Sequence, residues 1–167
     1  MTDVLVAFAS RHGSTDELAH AIGLELTAAG LSVEVRPMDE VEDLEEYPAL
    51  VLGSAVYMGS WLPAARAFVE RHERQIGERP TWLFSSGPLA EPGANGVDRF
   101  DATRLVGATH ARDHHLFGGK LDRVALSRRE RVVARLVRAQ DGDHRDLPVA
   151  AAWATAISRA VTTARSA

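Results

Sequence analysis

The residues best suited to chemistry in this chain lie in one short run: Ser10, Arg11, His12, Gly13, Ser14 and Thr15. It follows an unbroken apolar stretch, Val4 to Ala9, and precedes a segment with helical periodicity. Three hydroxyls, an imidazole and a glycine at the mouth of a helix suit the binding of an anion. The first N–H groups of a helix have no partner inside it, and the helix dipole adds positive charge there, so a phosphate is favoured. Gly13 would let the backbone turn and approach the anion with no Cβ in the way. Ser10, Ser14 and Thr15 would donate further hydrogen bonds, and His12 has a ring nitrogen to offer. The plainer alternative is that Ser14 or Thr15 simply caps the helix. The run lacks the lysine of a P-loop and has one glycine where a dinucleotide fingerprint needs three.

Two later runs carry the remaining candidates. Ser54, Ala55, Val56, Tyr57, Met58, Gly59 and Trp61 combine small polar residues with large rings around a glycine. Such a set would suit a flat, mostly apolar ligand with a polar edge. Equally, Tyr57 and Trp61 would serve as packing residues at a helix entrance. The third run, Ser85, Ser86, Gly87, Pro88 and Leu89, opens a loop rich in glycine and proline that reaches Gly96 and contains no aromatic residue.

The elements that position these runs follow from periodicity. Apolar stretches at Val4–Ala9, Ala49–Gly53, Thr81–Ser85 and His114–Gly118 predict strands covered on both faces, and Leu31–Val35 alternates into another. Between them, Asp16–Ala29, Leu62–Ile76 and Ser127–Ala139 have apolar residues three and four apart, predicting helices, with Gly30 ending the first. Asp101–Val106 predicts a short helix, and Asp146 or Leu147 opens a last one that runs to about Ala164. Alternating strands and helices imply right-handed crossovers and a parallel sheet between helical layers, one α/β domain over residues 1–167. Ligands of such sheets bind beyond the strands' carboxyl ends, where the strand order reverses. The three candidate runs follow three of these strands.

Composition narrows the rest. With no cysteine among 167 residues, this chain supplies no disulfide, thiolate nucleophile or iron–sulfur ligand. Its seven histidines show no metal-ligand spacing, and His114 and His115, adjacent in a strand, would point to opposite faces. No metal site is expected. Nor is a hydrolase, because no Ser–His–Asp set falls at a strand end. A leader peptide and a membrane span are not expected either, which favours the cytoplasm. The net charge of −4 hides an asymmetry: residues 1–60 hold 2 basic and 11 acidic side chains, residues 103–145 hold 10 and 5. The basic segment would suit an anionic lipid surface, a nucleic acid or an acidic partner, or be a solvated helix face.

The run VLVAFASRHGST, with Ser10, Gly13 and Thr15 at the fixed positions, resembles the first strand and phosphate loop of flavodoxins. YPALVLGSAVYMGSW resembles their third strand and first flavin-ring loop, and VLGSAVYMG with FVERH is similar to the menaquinone-dependent protoporphyrinogen oxidase branch of that superfamily. The resemblance implies a three-layer sandwich with a five-stranded parallel sheet in the order 2-1-3-4-5. It implies FMN held by the three runs, with catalytic residues unassigned. It also implies an FMN-dependent oxidoreductase passing electrons to a quinone-type acceptor, with protoporphyrinogen IX, a haem precursor, as a candidate donor. The expected partners are then a quinone or other small redox molecule and not a nucleic acid, with the 103–145 segment as a candidate peripheral membrane contact. Two departures matter. Flavodoxins that carry electrons usually stack a Tyr in the third loop, absent here, and the porphyrin-oxidising branch has an insertion where Gly118 to Ser127 is short. A flavodoxin-type electron carrier and a binding module with weak flavin affinity are the alternatives.

Overall fold

A computed structural model of the chain describes residues 1–11, 13–57, 59–87, 97–118 and 146–166. Among them the strands are β1 (Val4–Ala9), β2 (Val33–Pro37), β3 (Ala49–Tyr57), β4 (Ser60–Trp61), β5 (Thr81–Gly87) and β6 (Asp113–Gly118). The helices are α1 (Ser14–Ala28), α2 (Pro63–Gly77), α3 (Val97–Thr109) and α4 (Asp146–Arg165).

Five strands pair in parallel in the order β2-β1-β3-β5-β6, the order implied by the flavodoxin resemblance. The sixth, β4, has two residues and runs antiparallel to β3, with Val56 opposite Trp61 and Tyr57 opposite Ser60. The strand order reverses between β1 and β3, because the chain leaves β1 toward β2 and leaves β3 toward β5.

Alternation along the central strands feeds two cores. Val4, Val6 and Phe8 face one side with Leu18, Ile22 and Leu26 of α1 and Trp153 and Ile157 of α4. Leu5, Ala7 and Ala9 face the other, with Phe68, Val69 and Ile76 of α2 and Leu105 of α3. This is why β1 reads as an unbroken apolar run: all six residues are buried, three toward each core. Each such Val, Leu, Ile or Phe contributes roughly 1.5–3 kcal/mol by leaving water. At the end of α1, Gly30 takes φ +90°, and the Gly30 and Leu31 N–H groups donate to the carbonyls of Thr27 and Leu26, closing the helix.

Several boundaries differ from the periodicity. β2 starts two residues later than expected. As an edge strand whose five residues are all half-buried, it carries a weak pattern. β3 runs on through Ser54, Ala55, Val56 and Tyr57, and β5 takes in Ser86 and Gly87, both expected to be loop. Small polar residues look like loop in sequence, but here the neighbouring strands supply ladder partners. Helix α3 is longer than the expected 101–106 and stops where His110 adopts φ +52°. The helix expected at Ser127–Ala139 lies outside the described residues.

Candidate functional site

Loop one is built around Gly13. Its φ of +88° belongs to the left-handed region that glycine enters freely, and a Cβ placed there would meet nothing within 4 Å. Glycine is therefore required by backbone conformation and not by crowding within the protein. The Gly13 N–H donates to Ser10 Oγ at 3.0 Å, folding the loop back on the end of β1. Gly13 is also the N-cap residue of α1 and has no side chain with which to cap it. The capping alternative therefore does not hold for Thr15, whose Oγ1 makes no hydrogen bond among the described residues. Helix geometry leaves the N–H groups of Ser14, Thr15 and Asp16 without intrahelical acceptors.

Thr15 is the telling residue. It is 0% exposed, and its Oγ1 has no hydrogen-bond partner. A buried hydroxyl left unpaired costs about 1–3 kcal/mol, so such groups call for an explanation. Asp16, next along, also lines the crevice; its Oδ1 is buried and makes no hydrogen bond among the described residues, although His20 Nδ1 lies 2.7 Å away and would offset its charge when protonated. A left-handed glycine, a helix N-terminus and a spare buried donor fit a ligand that brings its own acceptor oxygens, as a phosphate does.

A crevice of about 290 Å³ opens at the point where the strand order reverses. Phe8, Ser10, Gly13, Asp39, Leu62 and Ala64 line it, so loop one faces the start of α2 across the gap.

Loop two is held from below by hydroxyls. Ser54, fully buried, accepts the Leu62 N–H at 3.1 Å and donates to the Ala55 carbonyl at 2.8 Å. Trp61 is 2% exposed, and its indole N–H donates to Ser85 Oγ at 2.8 Å. Ser54 and Ser85 are register partners on β3 and β5. The packing alternative thus describes Trp61, while Tyr57, 56% exposed, stands at the rim. The Arg11 guanidinium lies 4.6 Å from the Tyr57 ring centre, so loops one and two touch through these two side chains. Gly59 turns the hairpin tip with φ +74°. Ala55 and Val56 are half-buried, and Ser86 is buried beside Ser85. Gly87 pairs with Gly118 at the end of β5. His12, Met58, Pro88 and Leu89 lie outside the described residues.

His114 joins this network, a role that sequence reading missed. Its Nε2 lies 2.8 Å from Ser85 Oγ, while His115 packs on the opposite face, 4.4 Å from the Phe117 ring and 5.9 Å from Trp153. Burial holds the His114 pKa below its usual value, Asp113 works against that, and His115 adds to it. The Ser85–His114 pair is no hydrolytic nucleophile. Ser85 is buried, and the Asp113 carboxylate is engaged by the Trp153 indole N–H at 2.7 Å and the His114 backbone N–H at 2.9 Å, so it does not orient the imidazole ring. Only the β5–β6 register brings Ser85 and His114 together, and no local pattern announces it.

The chain belongs to the flavodoxin-domain family, whose model matches residues 5–147. Over 88 residues it is 28% identical to the protoporphyrinogen IX dehydrogenase (quinone) of Escherichia coli strain K12, a match covering 52% of this chain and 49% of that protein. The chain thus spans about half the length of the curated relatives it matches. Among solved structures, the rubredoxin oxygen:oxidoreductase of Desulfovibrio gigas superposes with a TM-score of 0.72 at 12% identity, covering 100% of this chain and 38% of that one. An archaeal flavodoxin gives 0.66 at 15% identity, covering 96% and 99%. Flavodoxin 2 of Bacillus cereus gives 0.63 at 21%, covering 95% and 99%. The shared property is the fold.

Proposed function

We propose that this chain binds FMN and acts as an oxidoreductase passing electrons from an organic donor to a quinone-type acceptor. The observation that carries the reading is the unpaired buried Thr15 hydroxyl beside left-handed Gly13 at the start of α1. The residues present fit the cofactor. The amides of Ser14, Thr15 and Asp16 with the Thr15 and Ser10 hydroxyls would hold the phosphate. The rim formed by Arg11 and Tyr57, with the backbone of Ala55, Val56 and Gly59, would hold the ring. Ser85, Ser86 and Gly87 would border its polar edge through their main chain, since the Ser85 hydroxyl is engaged by Trp61 and His114.

Bound flavin supplies the electron transfer itself. The chain's part is orientation and electrostatics. Arg11 places a cation over the Tyr57 ring and Asp39 a carboxylate on the crevice wall, so a ring edge nearer Arg11 would favour negative charge. Tyr57 would give one aromatic face, and the sequence of the third loop holds no aromatic residue to stack on the other, which suits a flat acceptor. The E. coli relative supports a quinone acceptor and protoporphyrinogen IX as donor for this chain too.

A second reading, an electron carrier, has its own support. Asp39 lines the crevice and Glu40 follows it, both exposed, a local negative charge that would attract a basic redox partner. The test has two stages. Titration of FMN into purified protein should quench flavin fluorescence at one equivalent, and a protein that leaves the flavin free defeats both readings. Stopped-flow reduction of the loaded protein then separates them. Turnover between protoporphyrinogen and menaquinone supports the enzyme, and exchange with a ferredoxin reductase alone supports the carrier.

A further inference from the structure

Trp61, Ser85 and His114 form one hydrogen-bonded chain across β4, β5 and β6, with both links at 2.8 Å. An indole N–H can only donate, so Ser85 Oγ accepts from Trp61. The Ser85 proton is then free to go to His114 Nε2, provided that nitrogen carries none. Among the described residues, neutral His114 with its proton on Nδ1 is the form that lets Ser85 both accept from Trp61 and donate to Nε2. Charging His114 puts a second donor against Ser85 Oγ and leaves the Ser85 proton without its acceptor inside a buried site. That is a costly arrangement for a hydroxyl whose residue is 2% exposed.

We infer that His114 is a positioning residue of the site: its neutral imidazole, through Ser85, holds Trp61 and with it the 57–61 turn beside the crevice, and protonation loosens that grip. Trp61 is antiparallel partner to Val56, and Leu62, which follows it, lines the crevice, so a shift of Trp61 moves both sides of the turn. The titratable groups acting on His114 are Asp113, which favours its charged form, and His115, which opposes it. From β4 and β5 the contacts are the uncharged Trp61 and Ser85. Arg104 on α3 and His110 at its end, where described side chains carry charge or titrate, are exposed. The consequence for flavin affinity rests on the proposed FMN site, whereas the link between His114 and Trp61 does not.

The experiment therefore begins without flavin. In the ¹H–¹⁵N NMR spectrum, the Trp61 indole N–H signal, assigned by its loss in Trp61→Phe, is followed from about pH 8 to about pH 5, the range in which histidines titrate. It should move with the same midpoint as the His114 imidazole and stay still in His114→Gln, which keeps a neutral acceptor at every pH. In Ser85→Ala the response should also vanish, because the link is cut. FMN titration of the wild-type chain should then show affinity falling roughly 2- to 10-fold through that midpoint, the value of one hydrogen bond, with no such fall in His114→Gln. A Trp61 signal that ignores His114 titration, or moves equally in the Gln variant, overturns the inference. If the signal follows His114 but FMN binds at no pH, the positioning contact stands and the flavin reading fails.

Discussion

The ring of Phe84 fills the space where a side chain on Gly53 would have to stand: a Cβ at Gly53 would lie 2.0 Å from Phe84 Cζ and 2.2 and 2.4 Å from its Cε atoms. The two residues are register partners on β3 and β5, and Phe84 is fully buried among Phe117 and Trp153.

Gly53→Ala should therefore be among the more damaging single-methyl additions in the chain. Overpacking of this kind costs about 3 kcal/mol, which for a chain of this size lowers Tm by roughly 6–12 °C. Thermal unfolding by circular dichroism measures it. In a Phe84→Leu background the added methyl should cost much less, and equal losses in both backgrounds would show that the ring is not the obstacle.

Thr15→Val removes the unpaired hydroxyl and keeps the shape. The flavin-free protein should melt at the same temperature or slightly higher, because a buried unsatisfied donor is gone. FMN affinity should fall by roughly 10-fold or more, the value of a hydrogen bond to a charged group. Opposite effects on folding and binding in one variant mark a residue kept for its ligand. A melting temperature that drops by several degrees would show that the hydroxyl has a partner in the protein.

Gly13→Val acts through the backbone. The space around a Cβ here is open, but φ +88° costs an L-residue about 1–2 kcal/mol, and a β-branched one at least that. The domain should remain folded with a modestly lower Tm, while FMN binding is lost as loop one rearranges. Gly13→Asn, which tolerates the left-handed region, should keep measurable affinity. Equal binding by Gly13, Asn and Val forms would remove this loop from the site.

His114 gives stability a definite pH dependence. Its folded pKa is depressed by burial, so the unfolded chain binds the proton more readily. The contribution of neutral His114 is complete above about pH 6.5, the ordinary histidine value, and is lost as pH falls through the lower folded value. Urea midpoints measured from pH 7.5 downward should fall below about 6.5, and His114→Gln should flatten that part of the curve. Identical profiles for both proteins would count against it.

The alternation of elements and the three loops were legible because buried parallel strands carry unbroken apolar runs and their ligands gather at one edge. β1 shows this: Val4 to Ala9 is buried on both faces and ends at the polar turn that holds Ser10 and Gly13. What stayed hidden depended on partners distant in sequence. Ser54 and Ser85 read as ligand contacts, yet their hydroxyls hold Leu62 and Trp61, a use visible only once β3 lies against β5. His114 offered no signal at all, since its partner is 29 residues earlier on another strand.

The hydroxyl supports of Ser54 and Ser85 grip the hairpin at its base, at Leu62 and Trp61, and leave its tip at Tyr57 and Gly59 to project. Anchorage and display are thereby separated. Side chains at the tip can be exchanged by mutation or laboratory selection while the scaffold beneath keeps its shape.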